Sequence, residues 1–231
     1  MKLAFSTLGC PEWNFETILQ NASQMGFDAI ELRGVGQEMR LDRLPPFMPG
    51  RQQQTLRRLQ QAGLSVCCAD TSVRFDDPGL NALEEGRAAV DVCARMGIPF
   101  IRVFGDSRRG TMTMEQLIDA VTDGCRQLCE YARGTDVQIL LEVHGDFDRT
   151  ERLLPVVRGV NDRQFGILWD IEHSDALYGE NFEAFYRELA PYIKHVHIKD
   201  AVRTPQGHRL CGTGEGDLPI EGIVRLMEKD D

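Results

Sequence analysis

Short, mostly apolar runs alternate along the chain with longer segments whose apolar residues recur every three or four positions. The first kind reads as buried strands, the second as helices with one face on a core. KLAFST (2–7) predicts a short first strand. Asn14 caps a helix in which Phe15, Ile18, Leu19, Ala22 and Met25 form one stripe, and Gly26 ends it. AIELRG (29–34) is the second strand. A loop around Pro45, Pro46 and Pro49 leads to a helix carrying Leu56 and Leu59, closed by Gly63. SVCCADT (65–71) is the third strand, followed by a helix with Leu80, Leu83, Val90, Cys93 and Ala94 that ends at Gly97. FIRVFGD (100–106) is the fourth. Thr113 and Gln116 make a capping box for a helix bearing Leu117, Ile118, Val121, Cys125 and Leu128. QILLEVHGD (138–146) is the fifth strand, with a short helix near 150–158. FGILWDIEH (165–173) is the sixth, with a helix near 182–190. IKHVHIKDA (193–201) is the seventh, and a Gly-rich loop and a final helix near 219–229 complete the pattern.

Strands separated by single helices run parallel, because each crossover returns the chain to the same end. This alternation suits a barrel or an open doubly wound sheet. No G-x-G-x-x-G follows the first strand, where a dinucleotide fold carries it. Polar residues instead gather at the C-terminal ends of many strands, as the single active face of a barrel requires. The expectation is an α/β chain forming one domain, 1–231, of the (β/α)8 TIM type. At the spacing of the preceding strands an eighth would begin just beyond Asp231, so the barrel is expected to lack its last strand. Closure is what removes exposed edges. A seven-strand version is therefore expected to stay split, with a tendency to self-associate at the slot and form a homo-oligomer.

The chain carries 26 basic and 36 acidic residues, a formal charge of −10, which argues against nucleic acid as a partner. No run approaches the roughly 18 apolar residues of a membrane span, and the N-terminal apolar stretch is too short for a signal peptide. Seven cysteines without zinc-ribbon spacing read as reduced thiols of a cytoplasmic protein, and Cys125 and Cys129 as small core residues on one helix face.

The chemistry concentrates in the second half. All five histidines (144, 173, 195, 197 and 208) lie at or after the fifth to seventh strands, beside carboxylates, in LLEVHGDF, ILWDIEHS and HVHIKDAV. Alternation gives Glu142 and His144 one face, Asp170 and Glu172 another shared face, and His195, His197 and Lys199 a third. A barrel strand should be apolar on both sides, and burying Glu142, Asp170 and His197 without partners costs several kcal/mol apiece. A divalent cation satisfies two carboxylates and an imidazole together; such oxygen-rich sets suit Mn²⁺ or Mg²⁺, with Co²⁺ and Zn²⁺ as alternatives. The competing arrangement is a buried salt-bridge network of Glu142, Asp170, His197 and Lys199.

At these residues the chain resembles the xylose isomerase-like TIM-barrel superfamily, in its sugar phosphate isomerase/epimerase branch. The resemblance is carried by the Glu of LLEVHG, the D-x-x-H of WDIEH, the H-x-H of HVHIKD and the loop GTGEGDLPI. It implies Glu142, Asp170 and His197 as metal ligands, Glu142 also as the proton-transferring base, and His173 as a contact to substrate oxygens. It also implies an arginine after the seventh strand on the substrate, Arg203 or Arg209. In the family a second glutamate on the eighth strand completes the site, and neither Glu215 nor Glu221 matches it. The implied activity is isomerisation or epimerisation of a small sugar or sugar phosphate through an enediolate, and the implied partner is that small molecule; without the second glutamate, little or no isomerase turnover is expected of these 231 residues.

Three rival readings share the fold. A dehydratase of inosose or dehydroshikimate type uses the same proton abstraction, and a non-catalytic sugar-binding protein uses the same pocket. An endonuclease IV-type nuclease needs extra histidines where this chain has Ala69, Asp70, Phe104 and Gly105. Other polar residues admit two readings each. Glu31, Arg33 and Asp70 line the pocket as substrate contacts, together with His144, or form ion pairs. Arg108 and Arg109 hold an anionic group or form a solvated loop. Trp13 and Trp169 shape the sugar pocket, although alternation turns Trp169 toward the helices.

Overall fold

The computed structural model describes residues 1–77 and 81–230; Leu80, assigned above to a helix stripe, lies outside them. The order is β1 (Ala4–Ser6), α1 (Phe15–Gln24), β2 (Ala29–Leu32), α2 (Gln52–Ala62), β3 (Ser65–Arg74), α3 (Ala82–Met96), β4 (Phe100–Phe104) and α4 (Met114–Ala132). There follow β5 (Gln138–Glu142), α5 (Thr150–Val160), β6 (Phe165–Asp170), α6 (Ile171–Tyr178), α7 (Phe182–Leu189), β7 (Ile193–His197), β8 (Asp200–Thr204), β9 (Gly207–Cys211) and α8 (Ile220–Glu228). Among the described residues β1 to β7 form one sheet in sequence order with every pairing parallel, the arrangement of a TIM-type barrel without an eighth strand. The sheet curls far enough for side chains of β2 and β7 to meet in its interior.

Local signals act as read. The Asn14 side chain accepts from the Thr17 N–H, Thr113 and Gln116 form a reciprocal capping box, and Gly63 and Gly97 end their helices in the left-handed region. The apolar stripes pack against one side of the sheet. Ile30, Val66, Ile101, Val103, Ile139, Leu141, Ile167 and Trp169 face the helices and belong to one continuous core. Trp169, fully buried, stacks on Phe185 with centroids 5.4 Å apart, which places it in the helix layer. Cys125 and Cys129 are likewise buried in that core. On the opposite parity, Cys68, Leu140 and Leu168 are buried inside the curl, beneath the polar residues of the strand ends.

Two expectations are corrected. The sixth strand does not reach His173. Asp170 ends it and caps α6, its Oδ1 accepting from the Glu172 N–H at 3.1 Å, so strand alternation stops and helical spacing governs Glu172 and His173. The seventh strand stops at His197, and the Gly-rich stretch begins with an antiparallel hairpin, β8–β9, turning at Gly207 with φ of 112°. Asp200 ties the following loop down, its carboxylate accepting from the N–H groups of Gly214 and Gly216 at 2.7 and 3.0 Å.

Gly105, directly after β4, packs with no room to spare. A Cβ there would stand 2.3 Å from ring carbons of the fully buried Phe147. Gly105→Ala is expected to cost about 1–3 kcal/mol through overpacking. Thermal unfolding should show a fall of several degrees, and an unchanged midpoint would contradict this packing.

Candidate active site

The interior polar residues come from different strands at one end of the sheet. Glu142 is the last residue of β5, Asp170 the last of β6 and His197 the last of β7, and Asp170 and His197 are register partners. One ligand atom from each of Glu142, Asp170 and His197 lies within 4.8 Å of the other two. The His197 Nδ1 is 3.3 Å from Glu142 Oε1 and 3.6 Å from Asp170 Oδ2. All three therefore face the interior, as alternation and the resemblance both led us to expect.

The surrounding charges are dense. Arg102, in the middle of β4 and 3% exposed, reaches Glu142 Oε2 at 2.9 Å and Asp70 Oδ2 at 3.3 Å, its guanidinium lying over the Phe104 ring. Lys199 Nζ stands 2.7 Å from Asp170 Oδ2. Glu31 Oε2, from β2, accepts from His195 Nε2 at 2.8 Å and His197 Nε2 at 3.0 Å. Glu31 and Asp70 thus pair with imidazoles and Arg102, whereas Arg33 turns to the Ser72 hydroxyl.

This environment sets the protonation states. Burial pushes the Asp170 carboxyl up, but His197 and Lys199 outweigh it and bring it to about 2. Burial also raises Glu142, and His197 with Arg102 still hold it below the usual carboxylate range. Asp70 is pushed up to about 6 by burial, against the pull of Arg102. For His197 burial favours the neutral ring, yet Asp170, Glu142 and Glu31 raise it well above an ordinary histidine.

The donor set fits a divalent cation. Two carboxylates and an imidazole nitrogen converge from three strands. Buried Asp170 Oδ2 and Glu142 Oε2 have no hydrogen-bond partner of acceptable angle, despite the nearby Lys199 and Arg102. The salt-bridge network weighed as the alternative also exists here, since Lys199 and Arg102 neutralise part of the charge.

His173 stands on the first turn of α6, its ring edge-on to His144 with centroids 4.3 Å apart and its Nε2 3.8 Å from Glu172. His144, just past β5, also leans on Phe104 and faces Asp106. A His173 ring nitrogen also lies within 4.8 Å of ligand atoms of Asp170 and Glu172, so the two rings border the carboxylate group. The Arg203 guanidinium is gripped by Asp175, from α6, through Nε at 2.9 Å and Nη2 at 2.6 Å. His208 bridges Glu172 and Asp175 at 2.8 and 3.0 Å, which docks the hairpin on α6. Its neighbour Arg209 is exposed and, by alternation on β9, points to the other side. Arg108 pairs with Asp146, Arg109 pairs with Asp76, and Trp13 stacks on Phe5.

Sequence reasoning missed Arg102, Asp175 and the hairpin. Arg102 had a visible signal, a lone charge between Ile101 and Val103 in an otherwise apolar strand of a covered parallel sheet.

The comparisons with known proteins agree with this architecture. The chain superimposes on the zinc-bound IolI protein with a TM-score of 0.82 at 19% identity, covering 99% of this chain and 84% of that one. It superimposes on the probable 3-DHS dehydratase AsbF of Bacillus anthracis with a TM-score of 0.79 at 18% identity, covering 100% and 90%. It superimposes on the 3-keto-D-glucoside 4-epimerase YcjR of E. coli with a TM-score of 0.78 at 17% identity, covering 100% and 88%. Among curated sequences it is 23% identical over 140 residues to the uncharacterized protein YihM of Escherichia coli K12; the match spans 59% of this chain but only 41% of that relative's length. Residues 19–231 match the family model described as the xylose isomerase-like TIM barrel, and the chain belongs to that family.

Proposed function

We propose that this protein is a divalent-metal-dependent isomerase or epimerase of a small sugar or sugar phosphate, with Mn²⁺ or Mg²⁺ favoured. The observation that carries the reading is the convergence of Glu142, Asp170 and His197 from three strand ends. These three residues would hold the cation, which when bound polarises a carbonyl and the neighbouring hydroxyl. Glu142 is the base. Its Oε2 faces Arg102 and its Oε1 faces His197 Nδ1, so the carboxylate stands between that cation and the proposed metal ligand while it takes the proton from the carbon next to the carbonyl. His197, together with Arg102, holds the Glu142 carboxyl below the usual carboxylate range against its burial. His173, with His144 behind it, orients substrate oxygens. Arg203 is the arginine that the hairpin carries toward α6, held there by Asp175.

The test is hydrogen exchange. Incubating the Mn²⁺-loaded protein with a panel of ketoses in D₂O is expected to place deuterium on the carbon next to the carbonyl by removal and return of the proton at Glu142. Release of an epimer also needs a proton delivered to the opposite face, for which no residue is assigned, and is expected to be slow or absent. Deuterium-free substrate across the panel would remove the reading. The same abstraction followed by loss of a β-hydroxyl gives a dehydratase, which fold likeness to AsbF keeps in view. Product analysis separates the two. Abasic-site DNA with Zn²⁺ should remain uncut, because Asp70, Phe104 and Gly105 stand where a nuclease needs histidines.

Metal binding should depend on pH. Without metal the carboxylates around His197 keep its ring protonated well above the usual range, so binding must release that proton. Below the raised value, affinity should improve about tenfold per pH unit. Calorimetry in buffers of different ionisation enthalpy should detect the proton. The metal-free fold follows the opposite trend. A raised folded-state value gives stabilisation that is complete below the unfolded histidine value and is lost as pH rises through the folded one. Affinity independent of pH between 5 and 8 would show that His197 is not a ligand.

A further inference from the structure

His197 is held at both ring nitrogens. Its Nδ1 faces Glu142 and Asp170, while its Nε2 lies 3.0 Å from Glu31 Oε2. That same oxygen lies 2.8 Å from His195 Nε2, and the two rings stand at 82° to each other. Glu31 comes from β2, on the far side of the curled sheet, and is 3% exposed. It therefore has no open face toward a sugar, and its oxygen is fixed between two donors rather than free to swing toward the pocket.

An imidazole that donates Nε2–H to a carboxylate has its lone pair on Nδ1. A carboxylate in this position fixes both the tautomer and the orientation of a metal-ligating ring, and raises its basicity. Resting on the metal site proposed above, we infer that Glu31 is a positioning residue. It accepts Nε2–H from His197 and so presents Nδ1 to Glu142 and Asp170, while His195 braces Glu31 from the other side. A second cation among Glu31, His195 and His197 is the competing arrangement, since their ligand atoms also lie within 4.8 Å of one another. The contacts of 2.8 and 3.0 Å are of hydrogen-bond length, and the Arg102 cation beside Asp70 opposes added positive charge.

The experiment compares the full chain with Glu31→Gln and Glu31→Ala. Mn²⁺ binding is followed by electron paramagnetic resonance, and the ring of His197 by ¹⁵N–¹H correlation in the Zn²⁺-loaded protein. The wild type should bind one Mn²⁺ and show a metal-bound Nδ1 with a protonated Nε2. Glu31→Ala should weaken Mn²⁺ binding by about 10–100-fold and mix the tautomers. Glu31→Gln keeps an acceptor without the charge, so it should preserve the tautomer and weaken binding less; it also serves if the alanine variant does not fold. A purely structural role would lower the melting temperature yet leave tautomer and affinity unchanged, and that result would overturn the inference. So would two Mn²⁺ per chain with one lost on substitution. A wild type that binds neither metal would instead remove the functional reading on which this one rests.

Discussion

Asp170→Asn is expected to abolish deuterium exchange at the carbon next to the substrate carbonyl and to weaken Mn²⁺ binding by more than 100-fold while leaving the fold in place. Asp170 is fully buried at the end of β6, and its two oxygens have separate work. Oδ1 accepts from the Glu172 N–H and caps α6, a function that an asparagine carbonyl performs equally well. Oδ2 faces His197 and Lys199, and it is this oxygen that becomes an amide nitrogen or loses its charge. Lys199 and His197 would then confront a neutral group in a buried site, and the cation would lose one of two anionic ligands. Mn²⁺ titration and circular dichroism on the same sample test the two halves of this statement. A folded variant with unchanged affinity would remove Asp170 from the metal site. The same variant bears on acid stability. Asp170 is lowered to about 2 from an ordinary carboxyl, so its contribution is present above the unfolded value and is lost as pH falls through 2. Near pH 2 the wild-type and asparagine proteins should therefore converge in stability.

Arg102→Met is expected to have the largest effect on the fold itself. The guanidinium is 3% exposed and lies between Asp70 and Glu142, both nearly as buried. Methionine fills much of the volume but leaves two carboxylates in the interior without that cation. Removing one partner of a buried pair costs about 3–5 kcal/mol, because the charge left behind is uncompensated. For a domain of this size that corresponds to a fall of about 10 °C in melting temperature. The remedy identifies the cause. Asp70→Asn in the Arg102→Met background should restore part of the loss, whereas the two changes would simply add if packing alone were responsible. Bound metal should restore another part, since it neutralises Glu142.

How much of this was legible beforehand depends on the range of the interaction. Helix caps at Asn14 and Thr113 act within four residues and were readable directly. Strand alternation correctly sorted Glu142, Asp170 and His197 inward and Trp169 outward, because a covered parallel sheet leaves only two sides for each side chain. The same rule failed at Ile171, where Asp170 turns the backbone helical and the two-residue period no longer applies to His173. It failed again after His197. The hairpin of β8 and β9 carries mixed charged residues and a glycine turn, so its alternation was hidden in what read as a loop.

Short motifs carried the resemblance to the family that residues 19–231 match, and the sequence by itself determined the parallel α/β order and the interior placement of Glu142, Asp170 and His197. It did so because hydrophobic period and strand parity are local properties. Only the tertiary structure decided which charges meet. Glu31 reaches His197 across 166 residues of chain, Arg102 joins strands β3 and β5, and Asp175 grips Arg203 and His208 of a hairpin. Those pairings follow from how the sheet curls, and Coulomb energy between buried groups depends on separations in space that no spacing along the chain encodes.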